Sequence, residues 1–171
     1  MTTLEVELHL MKHFDFRRNL IVPNVTHRSQ LVRFETDLLI LSKSNYAHGI
    51  EIKVSLQDFK KDFEKDHIDV LNHRNETYKE KGFERFYKHL KYFSYAFPEK
   101  LLEFAINNVD ERFGLFSVRE VKNDFGKRVV VDEVRKPKTL FFNKWTNDKR
   151  MKLMHLGCMR IYNFKRKELK K

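Results

Sequence analysis

The sequence predicts an α/β fold: a central mixed β-sheet flanked by helices in the order αβββαβ, with a C-terminal helix and basic tail. Three observations carry this. Apolar residues recur at helical spacing between Leu4 and Phe14, and strand-like runs then follow between Asn19 and Val54. A further helix and strand come next, over 55–67 and 91–98. Gly and Pro number only 5 and 3 in 171 residues, too few for flexible joints between domains. Residues 1–171 therefore read as one domain, with 136–171 as a basic extension of it.

Thr2 or Thr3 caps the first helix, which runs to about Phe14 with acids in its first turn. At about 100° per residue, Leu4, Leu8, Leu10, Met11 and Phe14 share one face, and Glu7 falls in its middle. Glu5 lies on the polar side. "NLIVPNV" reads as a strand ended or bulged at Pro23, and "FETDLLILS" and "HGIEIKV" as the next two strands around the turn "KSNYA". Ser55 caps "SLQDFKKDFEKDH", whose Leu56, Phe59 and Phe63 keep helical spacing. The stretch 68–90 is charged and aromatic and helical in part. "KYFSYAFP" is a strand stopped by Pro98, "EKLLEFAINNV" a short helix, and "GLFSVREV" with "KRVVVDEV" a hairpin around Asn123-Asp124-Phe125-Gly126. A long helix is predicted over Thr139–Leu156, closed by Gly157, and "MRIYNF" as a last strand.

Net charge is +11, from 35 Lys and Arg against 24 Asp and Glu. Twelve basic and two acidic residues lie between Lys136 and Lys171, against 23 and 22 in the rest. A near-neutral body with a basic C-terminal segment is the footprint of a polyanion binder. The residues expected to carry it are Lys149, Arg150, Lys152, Arg160, Lys165, Arg166 and Lys167, with Lys60 and Lys61 beside the fourth predicted strand's helix. No apolar run approaches a membrane span, and the first residues lack a secretory pattern. A lone cysteine, Cys158, forms no internal disulfide and is expected to pack as a small side chain. A reducing cytoplasm is the expected setting.

The chemistry concentrates in "TDLLILSKSNYAHGIEIKVS". Side chains alternate along a strand, so Glu51 and Lys53 share one face while Ile50, Ile52 and Val54 take the other. Asp37 opens the preceding strand, and an antiparallel hairpin brings it beside Glu51. Two converging carboxylates repel each other and attract Mg²⁺ or Mn²⁺, and the Ile52 carbonyl adds a third oxygen. Lys53 then stands where charge develops on a phosphate, an arrangement suited to phosphodiester hydrolysis.

The order of these residues resembles the PD-(D/E)XK nuclease superfamily, with its restriction endonuclease-like core. An N-terminal helix bears an acid, Asp37 lies on the second strand, Glu51-Ile52-Lys53 on the third, and a helix and "KYFSYAFPEKL" follow. Within the superfamily, "ETDLLILSKSNYAHGIEIKVSLQDFKKD" and "MRIYNFKRK" are similar to a phage- and mobile-element-associated group near the MmcB-type DNA repair proteins. The resemblance covers most of the chain apart from 68–90 and "KRVVVDEVRKP". It implies metal-dependent DNA cleavage, with Asp37 and Glu51 as ligands and Lys53 as the catalytic lysine. It also implies an acid from the first helix (Glu7, with Glu5 its alternative) and a polar residue, Gln57, near the lysine. Thr36 stands where many members carry proline. Glu35 shares a face with Asp37, either orienting a water or lying on the surface. The alternative reading is a DNA-binding module of the same fold with weak or lost catalysis. Cutting both strands would favour a homodimer.

The remaining candidates have plainer readings. His67, His73 and His89 show no zinc spacing, and Phe83, Phe86, Phe93 and Phe97 read as core. Trp145 either stacks on a base or packs inward at helical spacing with Phe141. Asp58, Asp62 and Asp66 alternate with Lys60, Lys61 and Lys65 and read as a salt-bridged, solvated helix face.

Overall fold

A computed structural model describes residues 1–72, 74–123 and 126–169. His73 and the hairpin residues Asp124 and Phe125 lie outside them. The Thr2 hydroxyl accepts from the Glu5 N–H and the Glu5 carboxylate accepts from the Thr2 N–H, a reciprocal cap that starts α1 (Thr3–His13). Six strands follow: β1 (Leu20–Val25), β2 (Thr36–Leu41), β3 (Ala47–Ile52), β4 (Tyr92–Pro98), β5 (Gly114–Asn123) and β6 (Gly126–Arg135). They form one sheet in sequence order, with β3–β4 and β4–β5 parallel and the other pairs antiparallel. Parallel neighbours need crossovers. The first of these holds α2 (Leu56–Asp62), α3 (Asp66–Asn72) and α4 (Glu76–Tyr87), and the second α5 (Leu102–Asn108).

Each face of the sheet carries its own core. Leu39, Leu41, Phe93, Tyr95 and Leu115 pack under Phe59, Ile68, Tyr87 and Ala105 of α2–α5, joined by Trp145 and by Leu153 of α6 (Asn147–Glu168). Leu38, Ile40, Ile50, Ile52 and Phe116 pack on the other face against Val6 and Leu10 of α1. The wheel reading of α1 is corrected here. Leu4 and Leu8 are 63% and 50% exposed, and Val6 and Leu10 form the buried stripe. The widest apolar arc loses because only one stripe of the helix touches the sheet, and β-branched Val6 fits beside Leu10 there.

Four further expectations change. β1 runs through Pro23 to Val25, since an edge strand does not need every N–H in the ladder. The final helix begins at Asn147, capped by the Thr146 hydroxyl, rather than near Thr139, and "MRIYNF" lies inside it, not in a strand. Gly157 does not terminate the helix. It lies where α6 crosses β1, and a Cβ there would meet Val22 Cγ2 at 3.3 Å. Cys158, on the outer side of α6, is exposed rather than packed. Trp145 does pack inward, from an irregular segment, with its Nε1 donating 2.7 Å to the His89 carbonyl. No helix among the described residues is long and apolar enough to cross a membrane.

Gly114 opens β5 where the chain passes closest to Ser94 of β4 and Pro137. A Cβ at this position would collide with Ser94 Oγ and come within 2.8 Å of Pro137 Cδ. Gly114→Ala is therefore expected to destabilise the protein by about 1–3 kcal/mol, the usual cost of overpacking. Urea unfolding measures this, and an unchanged midpoint would mean that the two segments are not held in contact.

Candidate active site

The β2–β3 ladder runs from Leu41↔Ala47 to Leu38↔Ile50. One step further, the same register sets Asp37 opposite Glu51. There the Asp37 carboxylate, not a backbone carbonyl, accepts the Ile52 N–H, at 2.7 Å. The end of the hairpin thus presents side-chain oxygens where ladder bonds would otherwise run. β4 supports the other edge, its Ala96 carbonyl accepting from the Lys53 N–H at 2.9 Å.

Glu51 and Lys53 are 4% and 3% exposed, and Lys53 Nζ lies 2.9 Å from Glu51 Oε1. The sequence reading ended there; the structure adds three groups. Asp62, fully buried at the end of α2, lies 2.9 Å from Lys53 Nζ and accepts from the Tyr95 hydroxyl at 2.7 Å. Lys65, with 45% of its side chain exposed, reaches Asp62 at 2.5 Å and Glu51 at 3.0 Å. Asp62 is thus not part of a solvated face. Its signal was its spacing: it follows Phe59 by one helical turn and so lies on the buried side of α2.

Electrostatics set these groups apart. Burial, then the Asp37 charge, pushes the Glu51 carboxyl up to about 7. Burial also raises Asp37, against the opposing Ile52 N–H. Glu7, half-buried, is raised by burial and by the Asp37 charge, whereas Glu5 is exposed and occupied in the Thr2 cap. Glu7 is therefore the acid of α1 that faces this site. Burial works against the Lys53 and Lys65 ammoniums, but the Glu51 and Asp62 carboxylates hold both above the usual lysine range. Burial likewise opposes the Asp62 carboxylate, but Lys53, Lys65 and Tyr95 hold it below its ordinary value.

Four carboxylates thus share the site with two ammoniums. Both lysines bind Glu51 Oε1 and Asp62 Oδ1, while Glu51 Oε2 is buried with no hydrogen-bond partner among the described residues. An orphaned carboxylate oxygen beside Asp37 suits a hard cation. No three His, Cys, Asp or Glu side chains among the described residues form a ready cage. A cation here would depend on Asp37, Glu51, the Ile52 carbonyl and water, a sparse set of the kind Mg²⁺ accepts.

The other predicted residues are dispersed. Gln57 is exposed and away from the lysine, because the turn of α2 that meets Lys53 is the one carrying Asp62. Lys60, Lys61 and Glu35 are exposed. Arg150 donates to Asn45 Oδ1 at 3.0 Å and Arg160 to the Asn24 carbonyl, so both help seat α6. Lys152, Lys165, Arg166 and Lys167 are exposed along α6, the last three in its final turn. His67 is buried and stacked on Phe34, with ring centroids 4.2 Å apart.

No family model and no curated protein matches the chain. Its fold is similar to that of a solved protein of unknown function from Silicibacter pomeroyi. The TM-score is 0.55 at 15% identity, over 92% of this chain and 84% of that one.

Asp62→Ala leaves a buried ammonium short of a partner and should cost about 3–5 kcal/mol. Tyr95→Phe removes one hydrogen bond to a charged acceptor and should cost about 1.5–3 kcal/mol. Denaturant unfolding of both variants gives the ranking. A loss under about 1 kcal/mol for Asp62→Ala would contradict its place in the buried network.

Proposed function

We propose that the protein is a metal-dependent nuclease that hydrolyses phosphodiester bonds of DNA, with a restriction endonuclease-like core. The observation that carries this reading is the partnerless, buried Glu51 Oε2 beside Asp37, in a site with two more carboxylates than ammoniums. The element order, with acids on α1, β2 and β3 and a lysine two residues after Glu51, supports the resemblance to PD-(D/E)XK nucleases.

Asp37, Glu51 and the Ile52 carbonyl would hold Mg²⁺ or Mn²⁺, with Glu7 positioning water from the α1 side. When bound, the cation activates water and neutralises charge on the phosphate. Lys53 supplies a fixed positive charge in a water-poor setting, held by Glu51 and Asp62 before substrate arrives. Preorganisation of this kind avoids reorienting dipoles as charge develops. Tyr95 and Asp62 fix the lysine and touch no substrate. Lys65 is half-exposed and able to swing toward an incoming phosphate.

One feature favours the second reading, a DNA-binding module with weak or lost catalysis. Both lysines are already engaged by carboxylates, so the site is internally compensated in part.

Cleavage assays on linear, nicked, branched and single-stranded DNA decide between the two. Mg²⁺ or Mn²⁺ should support cleavage and chelation abolish it. Binding with no metal-stimulated product on any substrate would select the module.

Lys53→Met should lower single-turnover cleavage at least ~10²-fold with metal and DNA affinity retained, whereas Glu51→Gln should also weaken the metal. Lys53→Arg keeps the charge and the fold if Lys53→Met is unstable, and should be slowed by its altered geometry. Near wild-type cleavage by both lysine variants would remove Lys53 from the chemistry.

A further inference from the structure

A second site lies outside the carboxylate cluster. The 3-10 turn His27–Ser29 with the loop after it, the C-terminal end of α4 and the first turn of α6 enclose a cleft of about 590 Å³. That volume is in the range of small-molecule and cofactor sites. Gln30, Arg33, Arg85, Phe86, His89 and Lys149 line it, and none of its lining residues is acidic.

Its cations lack the compensation found elsewhere in the chain. Asp15, Glu76, Asp110, Glu111 and Asp132 each meet a basic side chain within 4 Å. Among the described residues no such carboxylate meets Arg33, Arg85 or Lys149, nor the nearby Lys88 and Lys152. Lys149 Nζ lies 3.1 Å from His89 Nδ1. With Nδ1 accepting from the ammonium, the ring proton sits on Nε2 and makes His89 a neutral donor. Burial and the charges of Arg33, Lys88 and Lys152 push the Lys149 amine below its ordinary value. Burial, then Lys149, Lys88 and Arg33, takes His89 down to about 4.

The walls are rigid. Trp145 Nε1 donates to the His89 carbonyl and Asn143 Nδ2 to the Lys88 carbonyl at 2.9 Å, tying the end of α4 to the approach to α6. The Trp145 N–H donates to the Asn45 carbonyl at 2.8 Å, anchoring that approach to the β2–β3 turn. Like charges are thus held close by a hydrogen-bonded frame.

We infer that this cleft binds a phosphate group of a nucleic-acid strand, with Arg33 and Lys149 as its principal charges and Arg85 and His89 as further donors. Arg suits a phosphate through paired N–H groups and Lys through point charge. The net-basic α6 continues the surface outward from Lys149, which favours a polymer over an isolated anion. Arg33 precedes Phe34, which stacks on His67 just after Lys65, so the cleft and the carboxylate site share a packed connection. The inference concerns binding alone and stands whether or not the chain cleaves DNA.

Arg33→Gln/Lys149→Gln is compared with Lys12→Gln/Arg128→Gln, which removes the same charge from exposed positions elsewhere. A labelled DNA duplex is titrated in EDTA across a range of salt, so that cleavage plays no part. The cleft variant should bind at least about tenfold more weakly, with the log–log salt slope flatter by ~1.8 for two lost phosphate contacts. The control should stay near wild type. Equal losses in both variants, or wild-type binding by the cleft variant, would overturn the assignment. Inorganic phosphate titrated alone separates the sources. Saturation by phosphate in a wild-type protein that does not bind the duplex would assign a small anion and overturn the nucleic-acid reading.

Discussion

The Lys53 ammonium, 2.9 Å from carboxylates on β3 and α2, is the contact on which the site depends. A buried ammonium is tolerable only if its partners are fixed, and both are. Glu51 is fixed by the strand, and Asp62 by Tyr95 from β4. The three elements cannot shift independently without stranding a charge in a low-dielectric interior. This explains why α2 is only seven residues long: it has to end where Asp62 meets the lysine. The turn that follows brings Lys65 back over the same two carboxylates.

Buried ion pairs seldom stabilise a fold better than apolar residues of the same size. Glu51, Lys53 and Asp62 occupy positions where the strand and helix pattern would accept Val, Leu and Phe. Keeping charge there costs stability, and the cost concentrates on Glu51, raised to about 7 with one oxygen lacking a partner. A site kept under such tension makes sense when a cation completes it. The tyrosine and aspartate supporting the lysine would fit poorly in a solvated salt-bridge cluster.

Much of this was legible from residue order. Strand alternation set Glu51 and Lys53 on one face, and the register of a tight hairpin brought Asp37 opposite. Glu7 was separable from Glu5 because a capping box claims the acid three residues after Thr2. Asp62 and Tyr95 were not visible as a pair, because their meeting depends on β4 lying parallel beside β3, across an insertion of three helices. The late chain misled for a related reason. Gly157 has the form of a helix stop, but its missing side chain serves the approach of α6 to β1, a tertiary requirement with no local signature. "MRIYNF" has strand propensity that the continuing helix overrides.

The charge distribution poses a problem for any polyanion partner. The carboxylate site carries net negative charge, so a phosphate approaching it meets repulsion rather than attraction. Catalysis on DNA would then require affinity from elsewhere and a cation at the site itself. The chain has a place for the first: its excess of positive charge lies almost wholly beyond residue 135, largely on α6. Separating the two signs of charge lets one surface hold the backbone while the other stays closed to it until a divalent ion arrives. A design of this kind makes the metal a condition for substrate entry as well as for chemistry. DNA binding without metal would then be carried by the basic surfaces alone, with its salt dependence set by them.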